Sequence, residues 1–131
     1  MMRFKNWKRP EFDERNETKW GWMCQHHQNL KLGYGVDVGA YCYLNARIGI
    51  SLEDNVELGS HASIYSSTSI DHKEGYVTVK KNAKIGSHCT VMPGITIGEN
   101  TIIGAHSFVN KDIPANVVAW GIPCKVQHKR K

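Results

Sequence analysis

The fold of this chain is decided by residues 79–114, VKKNAKIGSHCTVMPGITIGENTIIGAHSFVNKDIP. Every sixth residue of this stretch is aliphatic, and the series runs Val79, Ile85, Val91, Ile97, Ile103 and Val109. An α-helix repeats about every 3.6 residues and a strand about every two, so neither period produces a strict interval of six. An internal repeat of hexapeptides does produce it.

The interval of six continues upstream of residue 79 in two shifted registers. These upstream aliphatic positions are Leu32, Val38, Leu44, then Leu52, Leu58 and Ile64. Two extra residues separate the first register from the second. A longer interruption precedes Val79, and we interpret residues 70–78 as a loop inserted into the repeat. Twelve hexapeptides then span residues 32–114.

Other positions of the hexapeptide are equally regular. The fifth residue is small or aliphatic, which suits an inward-facing position. The fourth residue is mostly Gly, Asn, His or Asp, the types that best tolerate a positive φ, and we therefore expect a left-handed corner there. Two inward residues with a corner between them describe one side of a three-sided prism. The sequence thus predicts an all-β chain of about four coils, each made of three hexapeptides.

Residues 85–114, followed by Gly121–Val126 (GIPCKV), resemble the hexapeptide-repeat acyltransferases. The resemblance is to the galactoside, maltose and nodulation-type O-acetyltransferases and their polysaccharide-modifying relatives, and it covers about residues 32–126. It implies a left-handed parallel β-helix and a homotrimer. It also implies acetyl-coenzyme A as co-substrate, bound in a groove between neighbouring subunits.

The chain divides into three segments around this repeat. Residues 1–31 do not repeat and are rich in aromatic residues, among them Trp7, Trp20 and Trp22. We expect this segment to cap the first coil or to fill a subunit contact, because solenoids need caps over their strand edges. An aromatic lining for the acceptor site is the alternative. Residues 32–114 form the β-helix, and residues 115–131 form a C-terminal segment with a basic tail.

Composition and charge limit the partners of the chain. The net charge of +5 would attract coenzyme A phosphates or nucleotide sugars. No nucleic-acid recognition motif accompanies that charge, so we expect no nucleic-acid partner. No apolar stretch is long enough for a membrane span, no signal sequence is evident, and the four cysteines show no Cys-x-x-Cys spacing. These features favour a cytoplasmic protein without a membrane partner.

Acyl transfer to a hydroxyl needs a base and a donor for the oxyanion, and histidine is the natural base near neutral pH. His72 is our first candidate, because it lies in the inserted loop, where no repeat requires histidine. The resemblance implies a catalytic histidine in a loop at this coil; its Gly-His-Pro position is occupied here by Ser69. His61 is the second candidate, because it shares a prism edge with His88 and His106 that leads to the coenzyme groove.

Supporting roles fall to residues near these histidines. Asp71 is a candidate for orienting His72, and Asn45 for orienting the acceptor or stabilising the oxyanion. The resemblance implies that backbone groups of Ser87 and Ala105 hold the pantetheine arm of coenzyme A. It also implies that three further residues face the nucleotide: Asn110, Lys111 and Lys125. No metal site is predicted, because His26 and His27 near Cys24 lack a second spaced pair.

Three classes of function compete at this stage. The first is acyl transfer to a sugar hydroxyl, with a role in surface-polysaccharide biosynthesis, and N-acetylation of a nucleotide-linked amino sugar is its variant. The second is a metalloenzyme of the γ-carbonic-anhydrase kind, which shares the β-helix but needs a close-spaced histidine pair. The third is a non-catalytic trimeric scaffold, since a fold alone establishes no activity.

Overall fold

Three parallel sheets form the three sides of a β-solenoid in the computed structural model, which describes residues 4–131. The strands are β1 (Met23–Gln25), β2 (Leu30–Leu32), β3 (Asp37–Val38), β4 (Tyr43–Asn45), β5 (Ile50–Leu52), β6 (Glu57–Leu58), β7 (Ser63–Tyr65), β8 (Val77–Val79), β9 (Lys84–Ile85), β10 (Thr90–Val91), β11 (Thr96–Ile97), β12 (Ile102–Ile103), β13 (Phe108–Val109), β14 (Val117–Gly121) and β15 (Cys124–Lys129). One 3-10 helix, His27–Asn29, lies between β1 and β2.

The sheets differ in strand number. The five-stranded sheet has the order β1-β4-β7-β10-β13, and the four-stranded sheet has the order β11-β8-β5-β2. The six-stranded sheet has the order β15-β14-β12-β9-β6-β3. Every pairing between turns is parallel, and β14–β15 is an antiparallel hairpin. The predicted all-β architecture of parallel turns is therefore confirmed.

The core is a set of aliphatic columns that run along the solenoid axis. Leu44 of β4 lies opposite Ile64 of β7, which lies opposite Val91 of β10, and Val91 lies opposite Val109 of β13. All four side chains are fully buried. Each turn takes three hexapeptides, so residues one full turn apart, such as Val91 and Val109, stack directly, and the interval of six builds one apolar column on each side of the solenoid.

The corners carry the left-handed backbone that the fourth position of the repeat predicts. Asn55, His61, Asn82, His88 and Asn100 have φ angles between 59° and 65°, and His106 has a φ of 62°. Asparagine and histidine tolerate this conformation better than branched residues do, which accounts for their regular occurrence at the corners. The prediction for the corners is thus confirmed at these six positions.

The solenoid has about five turns, so the prediction of about four coils is wrong by one. The five-stranded sheet begins with β1, and Cys24 of β1 stacks on Leu44 although it lies outside the predicted repeats. This turn lacks the hexapeptide spacing because its chain passes through the left-handed His26 and a 3-10 helix before it reaches β2. Pairing of β14 with β12 completes the last turn beyond the predicted end at residue 114.

Residues 4–22 lie against the N-terminal end of the solenoid. Glu17 forms an antiparallel bridge with Met23, and the backbone N–H of Cys24 donates to the carbonyl of Asn16 at 2.9 Å. The Trp7 indole N–H donates to the carbonyl of Val36 at 2.8 Å. These contacts pair strand edges of the first turn that would otherwise be open to solvent. Within residues 4–131, no helix combines the length and apolarity needed to cross a bilayer.

Candidate active site

The inserted segment folds into a small hairpin between β7 and β8. The backbone N–H of Thr68 donates to the carbonyl of Lys73 at 2.9 Å, and the N–H of Gly75 donates to the carbonyl of Ser66 at 2.9 Å. The four residues between Thr68 and Lys73 form the tip, and His72 adopts a left-handed φ of 55° there. The hairpin therefore holds the histidine on a short, backbone-paired projection from the solenoid.

His72 and Asn45 line the same open cleft. The cleft has a volume of about 520 Å³ and lies where the five-stranded and four-stranded sheets meet, a corner that we call the loop corner. Its other lining residues are Gln25, His26, Arg47, Ser67, Thr68, Ser69 and Glu74. Two residues selected separately from the sequence, 27 positions apart, are thus brought to one concave surface.

Asn45 is held in a fixed orientation. Its Oδ1 accepts a hydrogen bond from the backbone N–H of Arg47 at 3.0 Å, and its carbonyl accepts one from the Ser66 hydroxyl at 2.7 Å. Ser66 is fully buried and also accepts a hydrogen bond from the N–H of Ile48 at 3.0 Å. With Oδ1 engaged, the Nδ2 amino group is the part of the amide that can donate to a substrate oxygen.

Two further contacts fix the hairpin to the solenoid, and neither could be predicted from the repeat. The Arg47 guanidinium pairs with the carboxylate of Glu74 and donates to the Ser67 hydroxyl at 3.4 Å. Gly75 lies so close to Gly94 that a Cβ on Gly75 would be 2.6 Å from the Gly94 Cα. The first contact joins partly exposed side chains and is weak, whereas the second is a backbone-to-backbone approach that admits only glycine.

Asp71 is engaged within the hairpin. The Thr68 hydroxyl donates to its Oδ1, and its Oδ2 lies 3.7 Å from the ammonium group of Lys73. The hydrogen bond from Thr68 is the main reason why the pKa of Asp71 lies below its ordinary value of 3.8. The carboxylate thus stabilises the hairpin tip directly. Its orientation of His72 stays a prediction.

His61 belongs to a stacked column at the corner between the six-stranded and five-stranded sheets, which we call the histidine corner. The ring centroids of His61 and His88 are 4.5 Å apart, those of His88 and His106 are 4.8 Å apart, and Tyr41 stacks on His61 at 5.0 Å. The prediction that the three histidines share one edge is confirmed. Both faces of the His61 ring are covered, which leaves its nitrogen-bearing edge for hydrogen bonding.

The residues expected to bind coenzyme A occupy two corners. Ser87 and Ala105 follow β9 and β12 at the histidine corner, whereas Asn110 and Lys111 follow β13 at the loop corner, and Lys125 is exposed on β15. Within residues 4–131, neither the N–H nor the carbonyl of Ala105 makes a hydrogen bond, and the N–H of Ser87 is also unpaired. Unpaired backbone donors and acceptors of this kind match the amides of a pantetheine arm.

The cysteines are unsuited to nucleophilic catalysis. All four are free and buried. Burial raises the pKa of the Cys24 thiol to about 12 and that of Cys42 to about 11. Because the thiolate is the reactive form, these side chains act as small core residues.

The family described as bacterial transferase hexapeptide (six repeats) matches residues 76–111. The galactoside O-acetyltransferase of Escherichia coli K12 is 36% identical over 109 residues, which are 72% of this chain and 54% of that protein. The chain thus spans about half the length of this relative.

Two solved structures share the fold. A maltose O-acetyltransferase from Clostridium difficile 630 superposes with a TM-score of 0.76 at 32% identity, over 85% of this chain and 64% of that one. A hexapeptide-repeat acetyltransferase from Vibrio cholerae, solved with acetyl-coenzyme A, superposes with a TM-score of 0.77 at 19% identity, over 84% of this chain and 65% of that one. The repeat, the solenoid and these similarities agree: residues 76–111 match the hexapeptide repeat of bacterial transferases, and the chain shares the fold of these two acetyltransferase structures.

Proposed function

We propose that this chain is an acetyl-coenzyme A-dependent O-acetyltransferase that acts on a sugar hydroxyl. The observation that carries the proposal is the loop-corner cleft, in which His72 and Asn45 meet on a transferase solenoid. The resemblance to galactoside and maltose O-acetyltransferases supports a sugar as acceptor. We assign the acceptor to the sugars of surface polysaccharides and the reaction to the cytoplasm.

His72 is the proposed general base. Acetyl-coenzyme A, when bound, supplies the acetyl group and a thiolate leaving group. His72 accepts the proton of the acceptor hydroxyl as its oxygen forms the new ester bond, and returns that proton to the sulfur as the carbon–sulfur bond breaks. Asn45 Nδ2 donates a hydrogen bond to the carbonyl oxygen that gains negative charge, a role supported by the fixing of Oδ1 on Arg47.

Coenzyme A fits the chemistry of the residues outside the cleft. The unpaired backbone groups of Ser87 and Ala105 would bind the pantetheine amides. Asn110 would donate to the nucleotide part, and Lys111 and Lys125 would attract its phosphates as exposed point charges. Each of these assignments concerns one subunit's contribution to the site.

A second copy of the chain is needed to complete this site. Ser87 and Ala105 lie at one edge of the five-stranded sheet, and His72 and Asn45 lie at the other. The strand and half-corners between these edges span roughly six residues, which is about 20 Å of extended chain. We place the histidine corner of one copy against the loop corner of the next, so that the coenzyme A held at Ser87 and Ala105 presents its acetyl group to His72 and Asn45 of the neighbouring copy. This supports a homotrimer of left-handed solenoids.

His61 is the alternative base, because it shares the histidine corner with Ser87 and Ala105. In a trimer His61 of one copy would approach the loop corner of its neighbour. The two histidines are therefore separable by experiment: loss of the base abolishes the chemical step, whereas loss of a ring from the stacked column weakens the corner that binds coenzyme A.

Calorimetric titration with acetyl-coenzyme A is the first test of the proposed function. Saturable binding with one site per chain, followed by thiol release that depends on a galactoside or maltose, is the expected result. No binding to a correctly assembled trimer would refute coenzyme A as the donor. Binding without transfer to any hydroxyl, but with transfer to an amino sugar, would replace O-acetylation by N-acetylation.

A further inference from the structure

A second cleft lies at the N-terminal end of the solenoid, away from the loop corner. It has a volume of about 460 Å³. Residues of the N-terminal segment form one wall and residues of the first turn form the other, and the lining includes Trp7, Trp20, Trp22, Lys8, Lys19 and Asp37. None of the residues assigned above to catalysis or to coenzyme A lines it.

The three tryptophans of this cleft are held in different ways. Trp22 is buried and packs edge-on against Phe12 with ring centroids 5.4 Å apart. Trp7 is tied to the first turn by its indole N–H and lies 5.1 Å from the ring of Tyr34. Trp20 is different, because 47% of its surface stays exposed. Much of the Trp20 ring therefore does not pack against the end of the solenoid, and this exposed part can contact a ligand.

The charge of the cleft is positive. Lys8 and Lys19 line it together with a single carboxylate, Asp37. The ammonium group of Lys19 lies 4.7 Å from the centroid of the Trp20 ring, and the guanidinium of Arg9 lies 5.3 Å from that of Trp7. The exposed Trp20 ring and the half-buried Trp7 ring thus each have a cation over one side, and the cleft combines apolar ring surface with positive charge.

We propose that this cleft binds an acidic saccharide chain, with sugar rings against the indoles and carboxylate or phosphate groups near Lys8 and Lys19. Sugar rings present flat C–H faces that pack on aromatic rings, and their anionic substituents complement the lysines. A concave surface suits a sugar ring, which can enter it. A membrane surface would instead be bound by side chains that project from the protein. Asp37 also lines a groove of about 430 Å³ along Gly39, Gly59 and Gly86 on the six-stranded sheet, so the cleft and this groove adjoin at Asp37.

This inference deepens the proposed function and rests on it for the nature of the ligand. A polysaccharide acceptor is longer than one sugar, and the cleft would hold residues of the chain distant from the hydroxyl that is acetylated. It would make the enzyme select long acidic acceptors over single sugars. Short acceptors would still be acetylated at the loop corner, because they do not reach this cleft.

Calorimetric titration of the full chain with tetragalacturonate and with maltotetraose phosphate tests the proposal, and neutral maltotetraose serves as the reference probe. At least one acidic probe should bind saturably with a dissociation constant below about 1 mM. Trp20→Ala should weaken that binding about tenfold. Lys19→Gln should weaken it about threefold at low salt and reduce its salt dependence.

Trp120→Ala is the matched control, because Trp120 is 45% exposed but lies on β14 at the other end of the solenoid. It should leave the affinity for the acidic probe within a factor of about two. Equal weakening by both tryptophan variants would overturn the proposal. So would absence of binding of both acidic probes, preferential binding to vesicles of phosphatidylglycerol, or a change of oligomeric state in Trp20→Ala, which would identify the ring as a subunit contact.

Titration with acetyl-coenzyme A in the same preparations separates this proposal from the proposed function. Trp20→Ala should keep its affinity for acetyl-coenzyme A. If the chain binds the acidic probe but no acetyl-coenzyme A, the donor assignment fails while the saccharide site stands. If it binds acetyl-coenzyme A but neither acidic probe, the saccharide site fails alone.

Discussion

Replacement of Gly75 by alanine should displace the hairpin that carries the proposed base, His72, relative to the rest of the solenoid. Gly75 ends the hairpin that carries His72, and its carbonyl accepts a hydrogen bond from the N–H of Gly94 at 3.1 Å. The φ angle of Gly75 is not left-handed, so glycine is required here because a side chain would not fit. A methyl group at this position would lie 2.6 Å from the Cα of Gly94 and 2.7 Å from its nitrogen.

The size of the effect follows from these distances. Ordinary van der Waals contact of a Cβ begins near 3.4 Å, so the two backbones must separate by about 0.8 Å. The hydrogen bond from Gly94 would be weakened or lost, at a cost of about 1 kcal/mol. A displacement of about 1 Å at a catalytic group typically lowers the rate about 10²-fold. We therefore expect kcat to fall by about two orders of magnitude while the fold persists.

Steady-state thiol release and acetyl-coenzyme A titration would measure the two effects separately. Gly33→Ala is the matched control, because its added methyl would crowd the side chain of Asp54 and lie 2.6 Å from the Asp54 backbone nitrogen, at the corner between the four-stranded and six-stranded sheets. It should lower thermal stability to a similar extent and leave kcat within about threefold. Equal kcat losses in both variants, or an unchanged kcat in Gly75→Ala, would refute the coupling of the hairpin position to catalysis.

Three further predictions concern the base, the core and the thiols. His72→Gln should lower kcat by roughly 10²- to 10⁴-fold without weakening acetyl-coenzyme A binding, and a larger kcat loss in His61→Gln would transfer the role of base to His61. Leu44→Ala, which empties a fully buried position of the core column, should reduce the free energy of unfolding by about 3 kcal/mol in urea titrations, and a loss below about 1 kcal/mol would contradict continuous packing. Burial raises the pKa of the Cys24 thiol to about 12 in the folded chain, from 9.0 when it is exposed. The contribution of the buried neutral thiol to the free energy of unfolding should therefore be complete below about pH 9 and decrease from there towards pH 12. Rapid reaction of this thiol with a disulfide reagent in the native protein at pH 8 would contradict this.

The sequence predicted the repeating part of the fold because its constraints are local and recurrent. Each corner needs a residue that tolerates positive φ, and each column needs an aliphatic residue at a fixed interval, so His61, His88 and Leu44 could be placed without coordinates. The first turn escaped prediction for the opposite reason. Cys24 enters its column through pairing with β4, and nothing in the spacing around it repeats.

The candidate site could be predicted only as far as its residues break the repeat, and the roles of these residues stay a prediction. His72 stood out because no corner of a regular turn required it, and Asn45 because it precedes the insertion by one coil. Ser66 did not stand out, although its buried hydroxyl joins the start of the hairpin to Asn45. A serine in a repeat has many uses, and only the three-dimensional path of the hairpin gives this one its role.

The antiparallel strand β15 has a consequence for self-assembly. A solenoid whose sheets end in open parallel edges could add further solenoids end to end and grow into a fibre, in the way that cross-β filaments extend. Here β15 turns back on β14 and occupies the last edge of the six-stranded sheet, with Lys125 and Lys129 along its length. At this sheet an incoming parallel strand meets a reversed and positively charged edge, which opposes the end-to-end addition of another solenoid.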